Sequence, residues 1–429
     1  GAWWEIFADA ELNNLEARAQ NASPNLKAAF ARLEQARATA RVARADFLPN
    51  LNAVPSFNRQ RYSPNEQPSF GPLTANTWSA PLDLSYEVDL WGRVRRGFEG
   101  ARADAQSSLA AFYNVLLTLQ SDVAQNYFAL RALDAEIAIV QSTVGLRQEQ
   151  VRLVRSRFDG GIGNELDVAR AETELATTEA EAAALGQRRA QLENALAILA
   201  GANPSAFHLA PIGPDRWNPV PPAIPIGLPS DLLERRPDVA AAERELAAAN
   251  ARIGVAKASF FPVLTLTGSG GFLSADVDSL FNWSSRTWSI GPSLTLPIFA
   301  GGRLRANYRG AQAAFAGAAA QYQQQVLVAF GDVENSLSAI HFLGDQYASQ
   351  ERAVNHAQRA VDLATQRYTS GIVSYLEVVD ASRDALDTRR ASAELAGQRL
   401  IADVQLIKAL GGGWNQQALV AQSSIRPSR

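Results

Sequence analysis

The sequence predicts an α+β chain built from two pseudo-equivalent halves, each a pair of strands followed by a very long helical hairpin. Three observations carry this reading. First, "RFDGGIGNELDVARAETEL" from Arg157 returns as "RYTSGIVSYLEVVDASRDAL" from Arg367, 210 positions on. Second, Leu82, Leu84, Tyr86, Val88 and Leu90 alternate with Asp83, Ser85, Glu87 and Asp89, the period-two pattern of a sheet with one apolar and one polar face. Third, Leu116, Leu119, Val123, Asn126, Leu130, Leu133, Ile137, Val140, Val144, Arg147, Val151, Val154 and Phe158 step by three and four with no intervening proline, and all but Asn126 and Arg147 are apolar, which is the seam of a coiled coil.

The repeat extends over the chain. Trp78, Leu84, Gly92, Arg93, Arg95, Gly100 and Ala101 recur at Trp288, Leu294, Gly302, Arg303, Arg305, Gly310 and Ala311. "ARADFLPNL" from Ala43 faces "AKASFFPVL" from Ala256 at an offset of 213, so a loop-length difference separates the two copies. A period this long marks a duplicated unit, not a solenoid.

Each half runs in the same order. Helix is predicted from Leu26 to Asp46, ending before Pro49. Strands follow at Leu51 to Asn58 and Leu82 to Leu90, then in the second half at Val263 to Phe272 and Leu294 to Ile298, four in all, paired through Gly/Pro/Ser/Asn-rich hairpins. The long helix comes next. Its seam holds two polar breaks, Asn126 and Arg147, and the matching seam of the second half runs from Val326 to Tyr368. Such a helix spans roughly 100 Å at ~1.5 Å per residue. Gly160-Gly161 and Gly371 turn the chain, because glycine adopts the left-handed angles of a tight helical turn. Second helices follow from Glu165 to Ala200 and from Tyr375 to Leu410. Between the halves, Phe207, Leu209, Ile212, Trp217 and Ile224 require burial, so the Pro/Gly-rich connector is compact.

Composition narrows the function. The chain has 429 residues, net charge −3, three histidines far apart, no cysteine and no methionine. There is no basic footprint for nucleic acid and no thiolate chemistry. The uncharged stretch 310–331 has the length of a membrane helix, but Gln312, Gln321, Gln323, Gln324 and Gln325 are costly in lipid and favour a packed helix. A β-barrel escapes this test. The strand pattern alone fits either a soluble sandwich with one wet face or a membrane barrel. No catalytic constellation appears: Glu165/Asp167 and Glu377/Asp380 complement helix dipoles, and Gly411 to Gly413 read as a helix cap. The chain is expected to be no enzyme and to need no cofactor or metal.

At "YEVDLWGRVRR", "LLERRPDVAAAE", "PIFAGGRLRA" and "LGGGW" the chain resembles the outer-membrane factor family, the TolC-like exit ducts of tripartite efflux pumps and type I secretion, in its lipoprotein drug-efflux branch. The resemblance runs from about Trp3 to Trp414. It implies a homotrimer in which each protomer gives four strands to one twelve-stranded barrel, continued by a hollow periplasmic α-barrel. On that frame, 47–91 and 260–300 are outer-membrane strands. Residues 20–46, 92–200, 231–259 and 301–410 form the α-barrel, and 1–19, 201–230 and 411–429 are equatorial region and connectors. Asp83, Glu87 and Asp89 would face a water-filled lumen, and the apolar positions outer-membrane lipid. Partners would be a periplasmic adaptor and an inner-membrane pump of a Gram-negative cell. A type I protein-secretion duct, a passive porin, a coiled-coil spacer and an enzyme carried on a helical scaffold are the rival readings; a porin lacks the long helices, a spacer lacks alternating strands and an enzyme would need a convergent polar pocket. Branch members often begin at a lipidated cysteine. This chain begins at Gly1, so either that residue has been removed or replaced, or this member lacks the anchor.

The resemblance also implies a gated periplasmic tip. The adaptor would grip Arg157, Gly160, Gly161 and Ile162 together with Arg367, Gly371 and Ile372. Tyr368 and Asp167 match the family's latch, whereas its arginine falls on Val373, which cannot form that link. Leu376, Glu377 and Asp380 share one helix face, and in a threefold pore each becomes a ring that forms a cation-selective constriction. The first repeat has Arg170 where the second has Asp380, so only one helix pair can line an acidic throat.

Overall fold

The computed structural model describes residues 2–63, 74–213, 217, 220–224 and 235–414. The hairpin predicted between the first two strands, the tail beyond Trp414 and parts of the connector lie outside them. The order of elements is α1 (Ala10–Ala22), α2 (Pro24–Ala45), β1 (Asn50–Ala53), β2 (Ser56–Arg61), β3 (Thr74–Val88), α3 (Arg93–Asp159), α4 (Glu165–Leu199), α5 (Pro237–Ala258), β4 (Val263–Ser274), β5 (Arg286–Thr295), α6 (Arg303–Thr369) and α7 (Tyr375–Ala409), with short 3₁₀ turns between some of them. The chain divides into two compact units, 1–30 with 110–240 and 325–429, and 31–109 with 241–324. The second unit therefore groups parts of four helices with the strands.

The strands form one antiparallel sheet in the order β1-β3-β4-β5, with β2 also on β3. The first expected strand is two, because Val54 and Pro55 interrupt it: proline gives no ladder N–H. β3 ends at Val88, not Leu90, and β5 at Thr295, two residues short of Pro297. Asp89 is thus not a strand residue facing a lumen. Its carboxylate accepts from the backbone N–H groups of Val94 and Arg95 at 3.1 and 2.8 Å and caps α3. Glu87 is bound by Arg93, whose Nε donates to it at 2.7 Å.

Register makes the two sheet faces distinct. Leu84 opposes Leu51 on one side and Gly268 on the other, and Gly268 opposes Ile290. Leu82 is likewise aligned with Ala53, Gly270 and Trp288. The alternate face carries Asp83 beside Asn52 and Ser269, and Ser269 beside Ser289. Among the described residues no second sheet covers the apolar row: Trp288, Ile290 and Leu294 are 76%, 82% and 67% exposed.

The first unit has a conventional core. Trp3, Trp4, Leu12, Leu15, Val123, Tyr127, Leu130, Leu196, Phe207 and Val404 pack together, with Trp217 and Ile224 of the connector against them. The seam positions of α3 are buried or half-buried from Leu116 to Val154, as are those of α6 from Val326 to Tyr368. Residues 10–22, where the sequence marks no element before residue 20, form a helix. Asp9 accepts from the N–H groups of Glu11 and Leu12 at 2.9 and 3.1 Å and from the Tyr127 hydroxyl at 2.6 Å. The uncharged stretch of α6 differs from the packed helix the sequence suggests. Between 310 and 331 only Ala329 is buried by the chain itself.

Glu16 of α1 is fully buried and neither carboxylate oxygen has a partner. Burial pushes its carboxyl up to about 9 from the ordinary 4.5. Between those values unfolding releases a proton, so stability falls as pH rises. Glu16→Leu is expected to stabilise the chain by about 3 kcal/mol at pH 7, shrinking as pH falls toward 4.5. Thermal unfolding of both proteins at pH 5 and 7 checks this; a gain that does not grow with pH refutes it.

Candidate gate and docking tip

The two repeated motifs build one small cluster in the first unit. α3 stops at Asp159 and the chain turns through Gly161, whose φ is +76°. Gly161 N–H bonds the Phe158 carbonyl at 2.9 Å and Ile162 N–H reaches the Arg157 carbonyl at 3.0 Å. The second turn copies it: Gly371 has φ +77°, its N–H bonds Tyr368 at 3.0 Å, and Ile372 N–H bonds Arg367 at 3.0 Å. This paired bonding is a Schellman motif, which closes the orphan carbonyls of a helix end. Gly160 lies just before, its N–H bonding the Ser156 carbonyl at 3.0 Å. Both turns leave an isoleucine standing out, Ile162 at 72% and Ile372 at 68% exposure.

Beneath the turns, Val154, Ala171, Ala364, Tyr368, Tyr375, Val378 and Val379 form a separate apolar cluster. The Tyr368 and Tyr375 ring centroids lie 5.4 Å apart, and the Arg157 guanidinium sits 4.8 Å above the Tyr368 ring, a cation–π contact. Tyr368 is 7% exposed. Burial raises its pKa, with Arg157 opposing and the Asp167 charge adding to the rise. Tyr375 is pushed up to about 12, chiefly by burial. Tyr375 was not singled out in the sequence; its hydroxyl reaches Gln150 at 3.4 Å.

The expected latch residues come together electrostatically, but no hydrogen bond joins Tyr368 to Asp167 among the described residues. Asp167 is engaged instead by the Asn164 side chain at 3.0 Å and by Arg170 at 3.8 Å, while Asn164 caps α4 by accepting from the Asp167 N–H at 2.8 Å. In the second repeat Arg367 pairs with Glu377 at 3.5 Å. Leu376, Glu377 and Asp380 are all exposed on α7, and the interleaved Tyr375, Val378 and Val379 are buried. The three predicted constriction residues therefore form one face turned away from the protomer's own packing.

The two halves also appear as such when the chain is compared with known proteins. The family model for outer membrane efflux protein matches residues 15–202 and again 228–412. The chain belongs to the outer membrane efflux protein family. It is an efflux-pump channel of the outer membrane of a Gram-negative bacterium. The toluene efflux pump outer membrane protein TtgI of Pseudomonas putida is 34% identical over 415 residues, covering 96% of this chain and 87% of the relative. Outer membrane protein OprJ of Pseudomonas aeruginosa is 35% identical over 415 residues, covering 96% and 86%. The solved CmeC outer membrane channel of Campylobacter jejuni superposes with a TM-score of 0.91 at 27% identity, covering 99% of this chain and 91% of that one. An α+β channel protein, with a strand sheet and long helical hairpins, is thus the fold of this family member.

Proposed function

We propose that three copies of this chain close one twelve-stranded barrel and form the exit duct of a tripartite pump, gated at the tip and carrying no enzymatic step. Trimerisation is supported by the sheet edges. Among the described residues β1 and β2 pair only with β3, and β5 only with β4, and open edges are not tolerated in lipid. The bare apolar window of α6 gives a further copy something to cover. The apolar sheet face meets outer-membrane lipid, and the polar face, with Asp83, lines the lumen. A periplasmic adaptor, itself linked to an inner-membrane pump, docks on the exposed turns around Ile162 and Ile372, flanked by Arg157 and Arg367.

The observation that carries the gate is the exposed row Leu376, Glu377 and Asp380 beside the buried tyrosine cluster. In a trimer the row becomes stacked rings, and carboxylate rings bind cations. Asp380→Ala is expected to widen the conductance of the purified channel in planar bilayers and to weaken block by divalent and trivalent cations. Unaltered block in an assembled Asp380→Ala channel would remove Asp380 from the pore.

A further inference from the structure

The strands carry a charge pattern that closing a barrel does not require. Three basic residues stand in them, Arg59 and Arg61 in β2 and Arg286 in β5, while β1, β3 and β4 have none. The register puts all three on one face. Arg59 opposes Asn76 and Arg61 opposes Thr74 on β3, and Arg286 opposes Phe272, which in turn opposes Ala80. Steps of two along β3 lead from Thr74 and Asn76 through Ala80 to Leu82 and Leu84, so the arginines share the apolar face. The strand carboxylates Asp83 and Glu87 take the other face. A cation on a lipid-facing row is costly at the bilayer midplane and nearly free at the headgroups.

Position along the strands agrees with headgroup level. Helices α2, α3, α5 and α6 all join the sheet at one end, next to Asn50, Val88, Val263 and Thr295. The arginines stand toward the opposite end. Arg286 is eight residues from Leu294, and Arg59 is level with Asn76, twelve residues from Val88. At ~3.4 Å per residue and a tilt of about 40°, those rows stand about 21 and about 31 Å from the helical end, on either side of an apolar band about 25 Å tall. Aromatic rings accompany them on the same face. Phe57 opposes Trp78 with ring centroids 4.4 Å apart, and Trp288 is two residues from Arg286. Rings at this level mark the membrane interface.

All three arginines are exposed. Among the described residues none has an ion-pair partner, Asp276 and Asp278 of the β4–β5 connection included; Arg286 lies over the Trp283 ring at 4.1 Å. The closure proposed above brings β5 of one copy beside β1 and β2 of the next, so arginines from two copies gather at each of three seams. Like charges gathered without an anion repel, and the strands offer no anion on that face.

We propose that this rim binds the phosphate groups of lipopolysaccharide, the phosphorylated glycolipid of the outer leaflet. The helical end of the sheet is the periplasmic one, so the arginines face the outer leaflet. A guanidinium fork bonds phosphate through two parallel donors, and the acyl chains would then run down over the row of Leu82, Leu84 and Ile290. The rim rests on the lipid-facing reading of the sheet.

The test is binding of bisphosphorylated lipid A to the purified channel in detergent, read by native mass spectrometry. Arg59→Gln with Arg61→Gln and Arg286→Gln is expected to weaken it about a hundredfold, the scale of three basic residues at an anionic lipid surface. The same three positions changed to lysine keep the charge and are expected to retain most of the affinity. Arg303→Gln with Arg305→Gln and Arg309→Gln removes equal charge from the exposed start of α6 and is expected to bind like the parent. Phosphatidylglycerol is expected to bind the parent and the rim variant alike. If the triple variant fails to assemble, Arg286→Gln alone is expected to lose about fivefold. A rim variant that binds lipid A like the parent overturns the proposal, as does an equal loss in the α6 variant. An equal loss of phosphatidylglycerol would make the rim a general anionic-lipid surface and overturns the glycolipid. The chain has no cysteine, so Ile290→Cys takes a single spin label, whose relaxation by oxygen against a water-soluble nickel chelate reports lipid or water. A label in lipid beside an unaffected rim variant sinks the rim alone. A label in water sinks the lipid face, and the rim with it.

Discussion

Gly411→Ala is expected to destabilise the chain by about 3–5 kcal/mol, against about 1–2 kcal/mol for Gly301→Ala. Both glycines have positive φ, +90° at Gly411 and +56° at Gly301, so both variants carry the left-handed strain of an L-residue. The difference lies in what a methyl would meet. At Gly301 nothing lies within 4 Å, whereas at Gly411 the Arg235 carbonyl oxygen would be 1.9 Å away. That oxygen belongs to backbone just ahead of α5, and it cannot swing aside as a flexible side chain would. Gly411 closes α7 as a Schellman cap, with its N–H on the Lys408 carbonyl at 3.0 Å and the Gly412 N–H on Ile407 at 2.9 Å. The first repeat makes the same joint. Gly201, at φ +65°, closes α4 and would meet the Ala22 carbonyl oxygen at 2.8 Å. Each repeat's last helix thus ends pressed on the chain that enters a helix opening with proline, Pro24 or Pro237. Thermal unfolding of the purified proteins decides the matter; equal losses at 301 and 411 would show that conformation alone is being measured.

The duplication made much of this legible in the sequence. Two copies of a turn at identical spacing marked Gly161 and Gly371, and both show the same φ and the same bonds. Seam positions could be read because burial in a long hairpin follows a strict period. The alternation of β3 was legible for the same reason, and its register carries one apolar face across the sheet. What escaped was set by single contacts between distant residues. Asp89 continues the polar alternation of the strand, yet its carboxylate is claimed by the first turn of α3, and nothing in the pattern separates those two fates. Glu174 and Arg383 lie 209 residues apart, so their pairing follows from how the helices pack. Arg147 left a trace, as a charged residue in an apolar seam, but the trace said that something unusual was buried and not with what. Gly411 was legible as a cap, whereas the carbonyl pressed against it was not.

Asp134→Ala is expected to cost about 3–5 kcal/mol, the penalty for leaving buried cations without their anion. The Asp134 side chain is 1% exposed and holds two guanidiniums: Arg189 Nε donates to it at 2.7 Å and Arg131 Nη1 at 3.2 Å. The same arginines hold the connector between the halves. Arg131 donates to the Ala210 carbonyl at 2.8 Å and Arg189 Nη2 to the Leu209 carbonyl at 2.7 Å. The Ile212 N–H reaches Asp134 at 3.3 Å, and the Leu209 N–H reaches Glu193 at 2.6 Å. One carboxylate therefore orients both side chains that pin residues 209–212 to α3 and α4. Removing it leaves Arg131, at 3% exposure, buried with only carbonyl and ring partners, while its guanidinium sits 4.9 Å from the Tyr127 ring. Asp134→Asn keeps an acceptor oxygen and is expected to lose less, about 1.5–3 kcal/mol, the worth of a hydrogen bond to a charged group. The connector should loosen before the hairpins do. In limited proteolysis, Asp134→Ala is expected to be cut near residues 207–213 under conditions that leave the parent whole, with its unfolding temperature lowered. A variant within 1 kcal/mol of the parent and equally resistant there would mean that packing of Phe207 and Leu209, not the ion network, holds the connector in place.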